Sequence, residues 1–93
     1  MKAVWNGEVL ADSDDTILVE SNHYFPAESL NTEFFKPSSS TSTCFWKGKA
    51  NYYDIVVKGQ RNDAAAWYYA NPTPKAAQIK GRVAFWKGVK ILP

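Results

Sequence analysis

The sequence predicts a small, mainly β protein, and three observations carry that prediction. Asn6-Gly7 stands between two short runs, Lys2-Ala3-Val4-Trp5 and Glu8-Val9-Leu10-Ala11. This is the strongest two-residue hairpin signal, because both central residues of a type I′ turn need positive φ. Residues 49–58 form the longest strand-like run, largely apolar on both faces of a two-residue alternation. Turn chemistry recurs at Asp12-Ser13-Asp14-Asp15, Gly59-Gln60 and Asn71-Pro72-Thr73-Pro74, dividing the chain into strand-length pieces.

Taken in order, the first hairpin and the run Thr16-Ile17-Leu18-Val19-Glu20 read as a three-stranded meander. Asn22-His23-Tyr24-Phe25-Pro26 breaks the pattern, and Pro26 opens one helical turn through Leu30, with Glu28 near its N-terminus. Thr32-Glu33-Phe34-Phe35 reads as a short strand stopped at Pro37, and the six hydroxyl residues 38–43 as a loop. Lys47-Gly48 marks a kink or turn before the long strand, which is expected to lie centrally. One face of that strand carries Asn51, Tyr53, Ile55 and Val57; the other carries Ala50, Tyr52, Asp54 and Val56.

Ala64-Ala65-Ala66-Trp67-Tyr68-Tyr69 is ambiguous, since alanine favours helix and the rings favour strand. Thr73 and Pro74 open a second short helix that Gly81 closes. Val83-Ala84-Phe85-Trp86 and Val89-Lys90-Ile91 end the chain as strands around Lys87-Gly88. The expectation is six to eight short strands and one or two helical turns, in a sheet closed or folded over to protect its edges.

Ninety-three residues suit one domain, residues 1–93, with a single core. Fourteen aromatic side chains supply much of the buried area that so short a chain otherwise lacks. One cysteine excludes an internal disulfide and a Cys-rich zinc site, and one histidine leaves little for other transition-metal centres. No metal or cofactor is expected. The N-terminus lacks the apolar stretch of a signal peptide, and no apolar run has membrane-spanning length. A soluble, cytoplasmic, monomeric or weakly dimeric protein with a reduced thiol is the expectation.

Charge is uneven along the chain. Residues 1–35 carry one lysine against seven acids, whereas residues 64–93 carry five cations and no acid. The plain reading pairs acidic N-terminal strands with basic C-terminal ones in one sheet; the alternative is an anion-binding face. Lys47, Lys80, Arg82 and Lys87 beside tryptophans could track a single-stranded nucleic acid. The isoelectric point of about 8.7 falls short of a strongly basic footprint, and no nucleic-acid-binding signature occurs, so that partner is not expected. Gly48-Lys49 lacks the upstream glycine and following hydroxyl of a phosphate loop.

Four blocks occur in order: Asn22-His23-Tyr24-Phe25-Pro26, Cys44-x-Trp46-Lys47-Gly48, Ala65-Ala66-Trp67-Tyr68-Tyr69 and Ile79-x-Gly81-x-Val83-Ala84-Phe85. Together they resemble the DUF427 family of small bacterial proteins of undetermined function. The family's usual Cys-Pro-Trp-Lys-Gly reads Cys44-Phe45-Trp46-Lys47-Gly48 here, so φ at position 45 is not fixed by a proline ring. The resemblance implies folded-over antiparallel sheets of the β-tent, or Mss4-like, group, leaning together over a cleft. Relatives of that shape bind zinc through cysteines or small ligands among aromatic rings; only the second is open to this chain. A nucleotidyltransferase label given to the family finds no support in the residues. No Gly-Ser pair precedes an Asp-x-Asp, and Asp12, Asp14 and Asp15 serve a turn.

The candidate groups each carry two readings. Cys44 is a nucleophile if cations at Lys47 and Lys49 favour its thiolate, or a small buried hydrophobe. His23 is the one side chain whose ordinary pKa lies near neutrality, so it is the proton carrier of any catalytic version, or merely a loop hydrogen-bonder. Tyr24, Trp46, Tyr53, Trp67, Tyr69 and Trp86 either line a pocket or make up ordinary core. The leading expectation is a binding module for a small, partly planar ligand in an aromatic cleft. The alternatives are a small enzyme using Cys44, Lys47 and His23, and a protein–protein adaptor presenting exposed rings.

Overall fold

The computed structural model describes residues Met1–Pro93. Nine strands follow one another: β1 (Lys2–Trp5), β2 (Glu8–Asp12), β3 (Ile17–Val19), β4 (Asn22–Tyr24), β5 (Phe35–Cys44), β6 (Gly48–Val57), β7 (Gln60–Tyr68), β8 (Val83–Phe85) and β9 (Lys90–Leu92). Three 3-10 turns, Ala27–Ser29, Thr32–Phe34 and Pro74–Ile79, are the only helical pieces. The architecture is mainly β, as the sequence predicts, and the strands form three antiparallel sheets ordered β2-β1-β9, β3-β4 and β5-β6-β7-β8. No helix is long and apolar enough to cross a membrane.

The first hairpin turns on Asn6 and Gly7 at φ 50° and 79°, the left-handed pair that a type I′ turn requires. The expected meander stops there. β3 leaves β2 and pairs instead with β4, while β9 returns from the far end of the chain to take the free edge of β1. The second hairpin therefore reverses at Glu20-Ser21, and the Asn22 segment read as irregular is a strand. Beyond it, Phe25 and Val83 exchange backbone hydrogen bonds of 2.8 and 2.9 Å, which fastens this small sheet to β8.

The segment after Leu30 also departs from expectation. Residues 32–34 make a 3-10 turn rather than a strand, and β5 runs through Pro37 and the whole hydroxyl segment. An edge strand explains both. Pro37 needs no outward N–H partner there, and residues with two solvent-facing sides are free to be polar. The pairing with β6 is irregular between Pro37 and Thr41. The opposite charges also meet differently from expectation. Instead of facing across one sheet, they join neighbouring sheets, through Arg82–Asp15 at 3.3 Å and through Lys47–Glu20.

β6 lies centrally between β5 and β7, and its two faces serve two apolar clusters. Ile55 and Val57, with Tyr53 against them, meet Ala3, Leu10 and Ala11 of the first sheet together with Phe25, Phe35 and Phe85. The opposite face carries Ala50 and Tyr52, packed with Tyr24, Tyr69, Ala76, Ile79 and Ala84. The alanine-and-aromatic segment at 64–69 is strand for most of its length, interrupted by a bulge.

Candidate functional site

Register assembles the site on the second of these faces. Tyr52 of β6 stands opposite Trp67 of β7, and Trp67 stands opposite Ala84 of β8. Three buried members of this cluster are the alanines Ala50, Ala76 and Ala84. Beside the cluster lies a cavity of about 220 Å³ lined by Lys47, Tyr52, Trp67, Tyr69 and Trp86. Trp67 meets Trp86 edge-on with centroids 6.1 Å apart, and meets Tyr24 edge-on at 6.3 Å. The Trp67 indole N–H donates to the Tyr24 hydroxyl at 3.3 Å.

Trp86 is aimed by a bulge. Tyr53 pairs with Ala66 but Ile55 pairs with Asn62, so Asp54 faces three residues of β7, and Ala64 among them has a left-handed φ of 53°. The Asp54 carboxylate takes up the freed backbone, accepting the Ala64 N–H at 2.7 Å and the Arg61 guanidinium at 2.6 Å. Burial alone would raise the Asp54 pKa; the Ala64 N–H and Arg61 outweigh it and hold the carboxyl below its ordinary value. The bulge then presents the Ala64 carbonyl to the Trp86 indole N–H at 2.6 Å. Its Asp63 carbonyl accepts from the Lys87 ammonium at 2.8 Å.

Lys47 enters from the β5–β6 hairpin. Cys44 pairs with Gly48, and Gly48 adopts φ 108°, a conformation that disfavours any side chain. The 73–74 segment clamps this tip: the Thr73 N–H donates to the Lys47 carbonyl at 3.0 Å, and the Thr73 hydroxyl donates to the Trp46 carbonyl. Thr73 thus precedes Pro74, as expected of a helix start, but its side chain serves the hairpin rather than the 3-10 turn. The Lys47 side chain, 8% exposed, ion-pairs with Glu20, which is 53% exposed. Its ammonium lies 5.4 Å from the Trp46 ring centroid and 5.6 Å from that of Tyr69, so both rings contribute cation–π attraction.

Electrostatics follow from this arrangement. Burial alone would lower the Lys47 pKa, but the Glu20 hydrogen bond and the Tyr24 and Tyr69 oxygens carry it above its ordinary value. Glu20 is shifted down, by its hydrogen bond from Lys47 above all. Burial raises Tyr69, Lys47 opposes, and Tyr24, Cys44 and Tyr52 add to the rise. The Tyr52 hydroxyl and the Ser42 hydroxyl are 2.8 Å apart. No three His, Cys, Asp or Glu side chains come together in a group that could hold a metal ion.

Of the residues singled out in the sequence, Lys47, Trp67, Tyr69 and Trp86 line this cavity. Tyr24 is fully buried behind Trp67. Trp46 lines a second hollow of about 530 Å³ with Phe45, Thr73, Pro74 and Lys75, over the hairpin tip. Tyr53 lies on the other face of β6, stacked on Tyr68 at 4.9 Å. His23 lines neither space; its Nδ1 is 2.9 Å from the Thr16 hydroxyl. Cys44 is half-buried against the second apolar cluster and also lines neither.

Three participants had not been singled out: Tyr52, Glu20 and Asp54. Tyr52 was legible, since alternation separates it from Tyr53 and only one of the two can share a face with Ala50. Nothing local marks Glu20 or Asp54, whose partners lie 27 and ten or fewer residues away. Comparison with known proteins adds two findings. A family model described as "Domain of unknown function (DUF427)" matches residues 1–91. No curated protein matches the chain.

Proposed function

The chain belongs to the DUF427 family, and on that premise we propose that it is a binding module for a small, partly planar ligand held among Tyr52, Trp67, Tyr69 and Trp86. The observation that carries this reading is the convergence of four aromatic side chains and one buried cation on a single open space. Apolar walls with a few oriented polar groups are the usual make-up of a ligand site. Its size bounds the guest: about 220 Å³ lies below the range of roughly 300–1,000 Å³ common for drug-sized ligands. A molecule of one or two rings fits that space. Titrating one- and two-ring fragments while following indole fluorescence and the amide shifts of Trp67 and Tyr69 tests the reading. Saturable shifts confined to the cavity are the expected outcome, and unchanged spectra across the panel would sink it.

The catalytic alternative draws less support. Lys47 already has a carboxylate partner, and neither Cys44 nor His23 borders the cavity. A specific observation does favour a contact role for the hairpin tip. Phe45 is 96% exposed beside the second hollow, a large ring held in water next to Trp46 and Pro74. A pull-down comparing the native chain with Phe45→Ser tests that reading; identical captured proteins would remove it.

A further inference from the structure

Resting on the binding reading above, we propose that the ligand is a planar monocarboxylate and that Glu20 is its built-in competitor for the Lys47 ammonium. The polar groups of the cavity are nearly all donors. Lys47 offers three N–H groups and no acceptor, and indoles donate only. Two of these donors are already committed, Trp67 to the Tyr24 hydroxyl and Trp86 to the Ala64 carbonyl, while the Tyr52 hydroxyl is bonded with Ser42. The remaining N–H groups of Lys47 and the Tyr69 hydroxyl, which bonds to no group of the chain, are left for a guest. No fully buried side-chain nitrogen or oxygen lacks a partner, so the unbonded Tyr69 hydroxyl is not fully buried, and Tyr69 is one of the residues lining the cavity. A ligand that supplies an oxygen acceptor therefore matches the Lys47 ammonium, the one lining group that is charged and donates only, while the tyrosine hydroxyls can meet either kind of partner.

The number of charges selects among acceptors. Lys47 is the only charged side chain lining the cavity. One ammonium balances one carboxylate; a dianionic phosphate would keep an unbalanced charge among aromatic rings, which is costly. The flat walls and the small volume set the rest of the guest as one or two fused rings.

Glu20 holds the ammonium that such a carboxylate needs, although it does not itself line the cavity. It sits at the tip of the β3–β4 hairpin, with φ 51° at Glu20 and 68° at Ser21. The Asn6-Gly7, Lys58-Gly59 and Lys87-Gly88 turns use the same pair of left-handed residues and place glycine second; this one has no glycine. Its residues are poor choices for the backbone, and the side chain of Glu20 ends on Lys47. Being half in water, Glu20 gives up the ammonium by rotating outward, whereas buried Lys47 stays in place. Carboxylate exchange leaves the ion count at the cavity unchanged.

The test measures benzoate and 2-naphthoate against benzamide and 2-naphthamide, by calorimetry and by the amide shifts of Trp67 and Tyr69, on the native chain and on Glu20→Gln. The carboxylates are expected to bind more tightly than the amides. Glu20→Gln, an exchange on an exposed turn, should tighten carboxylate binding about tenfold or more and leave the amides unchanged. Lys47→Gln should abolish the preference; if it does not fold, the native-chain comparison and Glu20→Gln still decide. Equal affinity for carboxylate and amide overturns the proposal and leaves the cavity reading intact. Carboxylate binding that Glu20→Gln does not strengthen removes the competitor role and so also overturns it. Failure of all four probes, with both chains folded, overturns both.

Discussion

The two faces of the four-stranded sheet are made by the same strands, and one is sealed while the other is open. Tyr53, Ile55, Ala66 and Phe85 look toward a second sheet, where Ala3, Leu10 and Ala11 close over them. Tyr52, Trp67 and Ala84 look toward a smaller cover, the Pro74–Ile79 turn and the β3–β4 hairpin. A three-stranded sheet buries Ala3, Leu10 and Ala11 against its partner. A six-residue turn and a hairpin of two three-residue strands do not. Aromatic rings on the first face therefore complete a core, and those on the second become walls. The lesson is that what a ring does here is set by the size of the element opposite it.

Cutting into the sealed face should have the largest effect. Ile55 is fully buried, and Ile55→Ala is expected to cost about 2–5 kcal/mol of stability in urea denaturation. Fragment binding at the cavity should be unchanged under native conditions. The adjacent tyrosines give the sharpest contrast. Tyr53→Ala removes a ring packed on Phe35 and Tyr68 and should cost about 2 kcal/mol with binding retained. Tyr52→Ala should cost less stability and weaken fragment binding; equal results for the pair would erase the difference between the faces.

Smaller effects probe how the open face is held. Asp54→Asn weakens the cap on the β7 bulge by about 1 kcal/mol, discounted because Arg61 is largely exposed. The chemical shift of the Trp86 indole N–H should move with it, because the bulge presents the carbonyl that it bonds. The Lys47–Glu20 pair sets two pH limits. Glu20 is depressed below 4.5, so its contribution is complete above that value and fades as pH falls through the lowered one. Lys47 is raised above 10.5, so its contribution is complete below that value and is lost as pH rises through the raised one. Denaturation midpoints across pH should show both limits in the native chain, with the acid one reduced in Glu20→Gln. Least of all, Ser21→Gly relieves a left-handed serine and should add about 0.5–1 kcal/mol in thermal melting.

Much of the fold was legible because its signals are local. Asn6-Gly7 dictates a type I′ turn whatever surrounds it, and residues 49–58 announce a strand covered on both sides. Reading stopped where partners are remote. The β1 edge is taken by β9, about ninety positions along the chain, so a sequential meander was the natural but mistaken expectation. The serine-threonine segment looked like a loop because edge strands and loops share one property, solvent on both sides. Glu20-Ser21 lacked glycine and so gave no turn signal, although it reverses the chain as tightly as Asn6-Gly7 does.

By itself the sequence determined a mainly β chain, its first hairpin, its central strand, its aromatic wealth and its family likeness. Each of these follows from residue type and near-neighbour spacing. Only the tertiary structure decided that Tyr52 rather than Tyr53 stands at the cavity, that Glu20 reaches Lys47, and that a bulge held by Asp54 aims Trp86. Those facts depend on which sheet covers which face and on where register slips, and both are settled by contacts between residues far apart in the chain.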